Sequence, residues 1–239
     1  MPLLSPLLDV QGFDLARDRL GAERAALPER AAILESRAAI ERLDGEHALL
    51  VERRRALADS EHGLGDEVAA VAARAKGVEA TLYSGTVRVS KELTALQEEI
   101  RLHRVRQSEL ETRELELLEE IEQAEREMAA NRAGDARVRA ELKSLADALS
   151  VAEQAIDAEL AKLVDARQGL VGGLPPEILA TYERLRLRDR LVGRAAVSIV
   201  DGVCAGCHMK LPVLEYNRMK SKPEDALLLC VHCGRILVR

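Results

Sequence analysis

Aromatic residues are nearly missing from this chain: 239 residues hold no Trp, one Phe and three Tyr. Domains of this size normally draw core volume from aromatic side chains, so a single large globular core is not expected. Proline is absent from Glu29 to Leu174, which removes the strongest helix breaker from that stretch. No apolar run approaches the roughly 18 residues that a membrane span needs, and the N-terminus carries no secretory signal pattern. A soluble, cytoplasmic protein without a membrane partner is expected. There is no Gly-rich phosphate loop, no carboxylate pair in a cleft-forming context and no nucleophile with an oriented base. These absences argue against an enzyme and against a small-molecule substrate. Cysteine is absent before residue 204.

What remains is a chain with 32% charged residues, rich in Ala, Glu, Leu and Arg, as long packed helices are. Alternating steps of three and four from Leu93 to Leu170 meet 17 apolar residues in 23 positions. The same steps from Ser36 to Leu82 meet ten in 14. Both are coiled-coil seams. Between them, residues 83–90 read Tyr-Ser-Gly-Thr-Val-Arg-Val-Ser. Gly85 permits a turn, the β-branched residues disfavour helix, and Ser90 is placed to cap the next helix. Each arm of about 80 residues reaches ~120 Å at 1.5 Å per residue, and two matched arms with a short turn form an antiparallel hairpin.

A turn centred near residue 87 sets Arg53, Arg54 and Arg55 opposite residues 119–122, inside a Glu-rich run from Glu109 to Glu127. It also sets Glu61 against Glu114, so a local slip, splay or nearby Arg is required. Pro28 starts a new segment and kinks the first arm. Gly134 is a further expected bend. His47 and His103 fall on the seams as packed polar positions rather than ligands.

The second arm ends at residues 169–176, Gly-Leu-Val-Gly-Gly-Leu-Pro-Pro, where glycines cap and prolines stop a helix. A junction helix from Glu177 to about Arg190 follows. It opens a basic tail: residues 1–175 carry a net −10, residues 176–239 a net +4. Arg184, Arg186, Arg188, Arg190 and Arg194 cluster there. With Lys210, Arg218, Lys220, Lys222 and Arg235 they are the candidate partner-binding residues, for nucleic acid or an acidic protein surface; the alternative is that the arginines pair with carboxylates of the arms or are ordinary helix surface. Tyr182 and Tyr216 are the only candidates for base stacking.

The four cysteines are Cys204-Ala-Gly-Cys207 and Cys230-Val-His-Cys233, with 22 residues between the pairs. Two such knuckles close a tetrahedron of thiolates around one zinc. A closed shell of four thiolates leaves no site for water, so this zinc is structural. Gly206 and Gly234 are expected to let backbone N–H groups turn toward the sulfurs. Apolar segments at 197–200, 227–229 and 236–238 give a zinc-ribbon layout, with a short helix from Pro212 to about Lys220 in the spacer. Cys204–His208 also matches a haem c attachment signature, but the export signal is missing and the second pair stays unexplained. A thioredoxin-type pair lacks its βαβ context. Rubredoxin-like iron lacks its aromatic core. His208 and His232 are read as knuckle surface.

The fold class is mostly α: a long antiparallel coiled-coil hairpin with a small C-terminal β zinc ribbon. Its expected divisions are 1–174 for the hairpin (turn near 83–90, kink near 28), 175–194 for the junction helix and 195–239 for the ribbon. The chain resembles the bacterial C4-type zinc-ribbon proteins with an N-terminal coiled-coil hairpin. The resemblance spans essentially the whole chain. It rests on Leu82–Val87, on the segment Lys91–Ile100, on Tyr182–Arg186, and on Cys204–His208 with Cys230–Leu237; the Ala/Arg-rich composition resembles actinobacterial members. It implies a kinked helical hairpin carrying a zinc ribbon held by Cys204, Cys207, Cys230 and Cys233. Some members of that group are linked to control of flagellar or alternative-sigma-factor transcription through protein and RNA contacts, and no residue here maps onto such an interface. The expected function is a non-enzymatic adaptor binding nucleic acid, protein or both at its ribbon end, in transcription or RNA-linked regulation, with the coiled coil as spacer or second contact surface. The alternative is a structural or assembly protein whose zinc only folds the tail.

Overall fold

The computed structural model describes residues 4–239; the first three residues of the expected 1–174 division lie outside the described residues. Five helices and a three-stranded sheet follow one another: α1 (Pro6–Ala25), α2 (Pro28–Tyr83), α3 (Ser90–Val171), α4 (Pro176–Arg186), β1 (Ala196–Val200), β2 (Val203–Cys204), α5 (Val213–Lys220) and β3 (Ile236–Val238). The fold is mostly α, as expected. The compact units cut across the expected divisions. One, the hairpin unit, is Ala32–Leu145; the other, the head unit, joins Met1–Ala31 to Ala146–Arg239.

In the hairpin unit the seams decide the packing. Every position of the α3 ladder from Leu93 to Leu145 is buried or half-buried, and nearly everything between is exposed. Ile100, Leu110 and Ala124 on α3 and Ile40 and Ala75 on α2 are the most buried. Arg54 is the one α2 ladder position that is exposed. α2 ends at Tyr83 and α3 begins at Ser90, so the turn lies where it was expected. Ser90 is the first residue of α3 rather than its cap. The helix is opened by the Val89 carbonyl, which accepts from the Glu92 and Leu93 N–H groups. α3 runs unbroken through Gly134, whose Cα faces Leu43.

The ion pairs are displaced from the simple register. Arg54 bonds Glu125 at 3.1 Å and Arg53 bonds Glu127 at 3.4 Å, rather than Glu119, Glu120 or Glu122. The shift has a geometric cause. Every Cα–Cβ bond tilts toward its own helix N-terminus. That direction is away from the turn on α2 and toward it on α3, so long side chains meet several residues beyond their Cα register. Shorter reaches keep the expected pairing: Asn131 Nδ2 donates to the Leu43 carbonyl at 3.2 Å. Glu114 Oε1 lies against Gly65, one helical turn from Glu61 toward the hairpin turn.

In the head unit, α1 is followed by a break at residues 26–27 and Pro28 starts α2, as the sequence implied. Leu7, Val10, Gln11 and Asp14 form the buried face of α1, at helical spacing. Leu4, Leu7 and Val10 share one core with Leu174, Ile178, Tyr182 and Leu185 and with Ala195, Ala196, Ile236 and Val238 of the ribbon. The ribbon strands thus share a core with α1 and α4; a sheet this small gains its apolar cover from those helices. α4 stops at Arg186 instead of continuing to about Arg190, and a 3₁₀ turn at Asp189–Leu191 follows. Val192 and Gly193 then adopt positive φ, which turns the chain so that Leu191 enters the core.

The sheet order is β2-β1-β3. β1 and β2 form a hairpin through Asp201 and Gly202, both at positive φ, the conformation of a two-residue type I′ turn. β3 lies parallel to β1, with Ala196 opposite Ile236 and Ser198 opposite Val238. Of the expected 227–229 strand, only an isolated bridge from Leu229 to Ile236 forms.

Candidate metal centre and the surface it holds

The two knuckles repeat one hydrogen-bond pattern. In the first, the Cys204 carbonyl accepts from His208 N–H at 2.8 Å and Cys204 N–H donates to the Met209 carbonyl at 3.1 Å. In the second, the Cys230 carbonyl accepts from Gly234 N–H at 2.8 Å and Cys230 N–H donates to the Arg235 carbonyl at 2.9 Å. His208 and Gly234 thus occupy the same position, at φ 57° and 73°. Gly206 is not the positional counterpart of Gly234, although its N–H does turn toward the Cys204 sulfur, as the sequence implied. Its requirement is space: a Cβ there would stand 2.7 Å from Arg235 Cδ and 2.9 Å from Val197 Cγ1.

These turns converge four sulfurs, all within 4.8 Å of one another. Cys204 Sγ lies 3.9 Å from Cys233 Sγ, and Cys207 Sγ lies 3.8 Å from Cys230 Sγ. Thiolates about 2.3 Å from a tetrahedral zinc stand roughly 3.8 Å apart, whereas a disulfide needs about 2.05 Å. The donor set fits one structural zinc ion, held by Cys204, Cys207, Cys230 and Cys233.

The surroundings prepare the ligands unequally. Burial pushes the Cys204 thiol up to about 12, against N–H bonds from Cys207 and Gly206 that favour the thiolate. Burial also raises Cys230. Burial acts the same way on Cys233, but the backbone and side chain of Arg235 bring that thiol down to about 7. Arg235 is a clamp as well: its Nε donates to the Arg194 carbonyl at 2.8 Å and its Nη1 to the Gly206 carbonyl at 3.4 Å. Leu228, Met219, Leu211 and Val197 pack around the cysteines.

Comparison with known proteins agrees with this site and this fold. A model of the C4-type zinc ribbon domain matches residues 203–237, and a model of the CT398-like coiled coil hairpin domain matches residues 10–190. The chain belongs to the CT398-like coiled-coil hairpin family. A relative in Mycobacterium tuberculosis strain H37Rv, "Uncharacterized protein Rv2229c", is 30% identical over 92% of this chain and 91% of its own length. A solved Mycobacterium smegmatis structure matches with a TM-score of 0.75 at 21% identity, over 99% of this chain and 97% of that one. CT398 from Chlamydia trachomatis matches with a TM-score of 0.66 at 21% identity, again over 99% and 97%. Both structures share the fold.

The candidate partner residues separate into groups. Arg186 is only 9% exposed; its Nη1 lies 3.0 Å from Asp14 Oδ1 and its Nη2 donates to Asp18 at 2.7 Å. Burial opposes its charge, and Asp18 and Asp14 more than restore it. It is an internal residue of the head, which removes it from the candidate surface. Arg218 is held by Glu215 at 3.0 Å, and Lys220 Nζ sits 4.4 Å from the Tyr216 ring centre. Arg184, Arg188, Arg190, Arg194, Lys210 and Lys222 are exposed, and none meets a carboxylate among the described residues. Arg190 Nη2 lies beside Gly234 of the second knuckle. Tyr182 is fully buried, so it offers no face for base stacking.

Sequence reasoning missed the polar centre of the head. Asp14, 1% exposed, accepts from Tyr182 Oη at 2.8 Å and from Arg167 Nε at 2.9 Å. Arg167 also bonds Glu183. Gln11 pairs with the backbone of Ala196 in both directions at 2.8 Å, extending β1 as a strand neighbour would. The available signal was the α1 stripe itself, where Gln11 and Asp14 continue the face begun by Leu7 and Val10. Among the described residues, no helix is long and apolar enough to cross a membrane.

Proposed function

We propose that the chain is a non-enzymatic cytoplasmic adaptor whose head unit binds nucleic acid through its phosphates, with the hairpin unit as spacer or second contact surface. The observation that carries this reading is the set Arg184, Arg188, Arg190 and Arg194. These arginines are exposed beside the ribbon with no carboxylate partner among the described residues, while Arg186 between them is consumed internally. The metal has four protein thiolates and needs no fifth group, which supports a structural rather than catalytic role. Burial of Tyr182 favours contacts to phosphate over stacking on bases.

Binding of a single-stranded RNA oligonucleotide, followed by fluorescence anisotropy across a salt series, tests this. Affinity is expected to fall steeply with salt. Reversing these arginines should shrink the slope by about 0.7 for each phosphate that is no longer neutralised. Salt-independent binding, or no effect of reversal, contradicts the reading and favours a protein partner. A structural or assembly role draws support from exposed apolar side chains on the long helices, Leu34, Leu49 and Leu115 among them. In that case, removing the ribbon would leave partner capture intact.

A further inference from the structure

One edge of the ribbon sheet is open. Leu237 N–H donates to the Leu228 carbonyl, and Cys230 N–H donates to the Arg235 carbonyl. Leu229 and Ile236 therefore face each other as a non-hydrogen-bonded antiparallel pair. In such a pair, strand alternation turns the N–H and C=O of the residue outward, away from its partner strand. The Leu229 N–H and C=O have no hydrogen-bond partner among the described residues. The order β2-β1-β3 thus continues into a further, very short edge segment whose far side is unpaired.

That edge borders a groove of about 250 Å³ beside the end of α5. Met219 and Leu228 are buried in it, while Leu229 and Val231, two residues apart, remain 43% and 55% exposed. Lys222 stands on the groove without an ion pair, while Arg218 is held by Glu215, which lines the same groove. Glu224 lines a different recess, with Leu4 and Ala226. Exposed apolar edges attract added strands, and charge on the rim selects which strand is accepted.

We propose that this edge takes an extended acidic segment of a partner protein as an added strand. The incoming backbone pairs with the Leu229 N–H and C=O, its apolar side chains lie on Leu229 and Val231, and a carboxylate reaches Lys222. Backbone pairing of this kind supplies affinity, and alternate side chains supply selectivity. A nucleic acid has no peptide backbone to complete the ladder. The proposal goes beyond nucleic-acid binding by the head and uses none of Arg184, Arg188, Arg190 or Arg194.

The test uses the zinc-loaded full chain and a short fluorescein-labelled peptide of alternating valine and glutamate. Binding should slow amide hydrogen exchange at Leu229 by about tenfold or more. The same peptide N-methylated at every second residue keeps its side chains but loses its donors, and should bind about tenfold more weakly. Lys222→Glu should also weaken binding, with zinc content unchanged. Absent binding, an unslowed Leu229 amide, equal binding of the N-methylated peptide, or equal binding with lysine in place of glutamate each overturns the proposal. Protection of Leu229 by an RNA oligonucleotide instead of the peptide overturns it as well.

Discussion

Arg54 and Arg186 each bind a carboxylate on another helix, yet they do different work. Arg54 lies outside the hairpin seam and meets an exposed Glu125. Arg186 is nearly enclosed in the head and meets Asp14, whose carboxylate is almost fully buried. In the hairpin unit apolar residues form the seam and ion pairs line its flanks, where water screens them. In the head unit a carboxylate, two arginines and a tyrosine hydroxyl sit inside, and the same unit holds a cluster of thiolates. Regular periodicity lets the hairpin bury its apolar side chains without help. The head has a small sheet and little apolar volume, and it relies on directional bonds and a metal.

This contrast is sharpest on removal of a zinc ligand. Cys204→Ser should lose most of the zinc and the order of the ribbon, because metal binding is folding free energy in such modules, ~10 kcal/mol or more in isolated fingers. Metal analysis should show the loss, and far-ultraviolet circular dichroism should show the hairpin helices retained. Asp14→Ala should come next. It leaves Arg167 and Arg186 buried without their shared partner, at a cost of about 3–5 kcal/mol, read by chemical denaturation of the head.

Acidity should also divide the units. Without metal, the Cys204 thiol is pushed up to about 12 and Cys230 is raised, so both hold protons at neutral pH. Zinc entry expels at least these two protons, so affinity should rise by at least about a hundredfold per pH unit near neutrality and fall correspondingly on acidification. Competition with a chelator at two pH values measures this. A pH-independent affinity would contradict the arrangement of thiols. Gln11→Ala should cost about 1–3 kcal/mol, because the Ala196 N–H and C=O lose their partners in the interior; a thermal melt of the head reads it. Arg54→Ala should be the smallest change, about 0.2–1 kcal/mol. An effect there as large as that of Asp14→Ala would erase the distinction between the two regions.

Much of the hairpin was legible in the sequence because burial follows its period: every α3 ladder position from Leu93 to Leu145 is shielded, and only Glu127 and Gly134 between them are shielded as well. The ligand set was legible because zinc chemistry demands that cysteine spacing. The ion-pair partners of Arg53 and Arg54 were not, since side-chain tilt displaces them from the Cα register. Pairing of the junction arginines with carboxylates of the arms was an open alternative, but which arginine is enclosed and which carboxylates it meets were hidden for a different reason. Asp14 and Tyr182 are 168 residues apart, and only the folded head brings them together. The end of α4 was misjudged because Leu and Arg are good helix formers, and the need to bury Leu191 overrides their preference. The knuckle symmetry that pairs His208 with Gly234 lies in backbone geometry, which spacing alone does not reveal.

The central claim is that the head is one composite unit closed around zinc, while the hairpin holds itself. Amide hydrogen exchange of the full chain, measured with zinc and after chelation, tests it most directly. Chelation should remove protection across β1, β3 and both knuckles and leave protection in residues 32–145 unchanged. Equal loss in residues 32–145, or a ribbon that stays protected without metal, would contradict it.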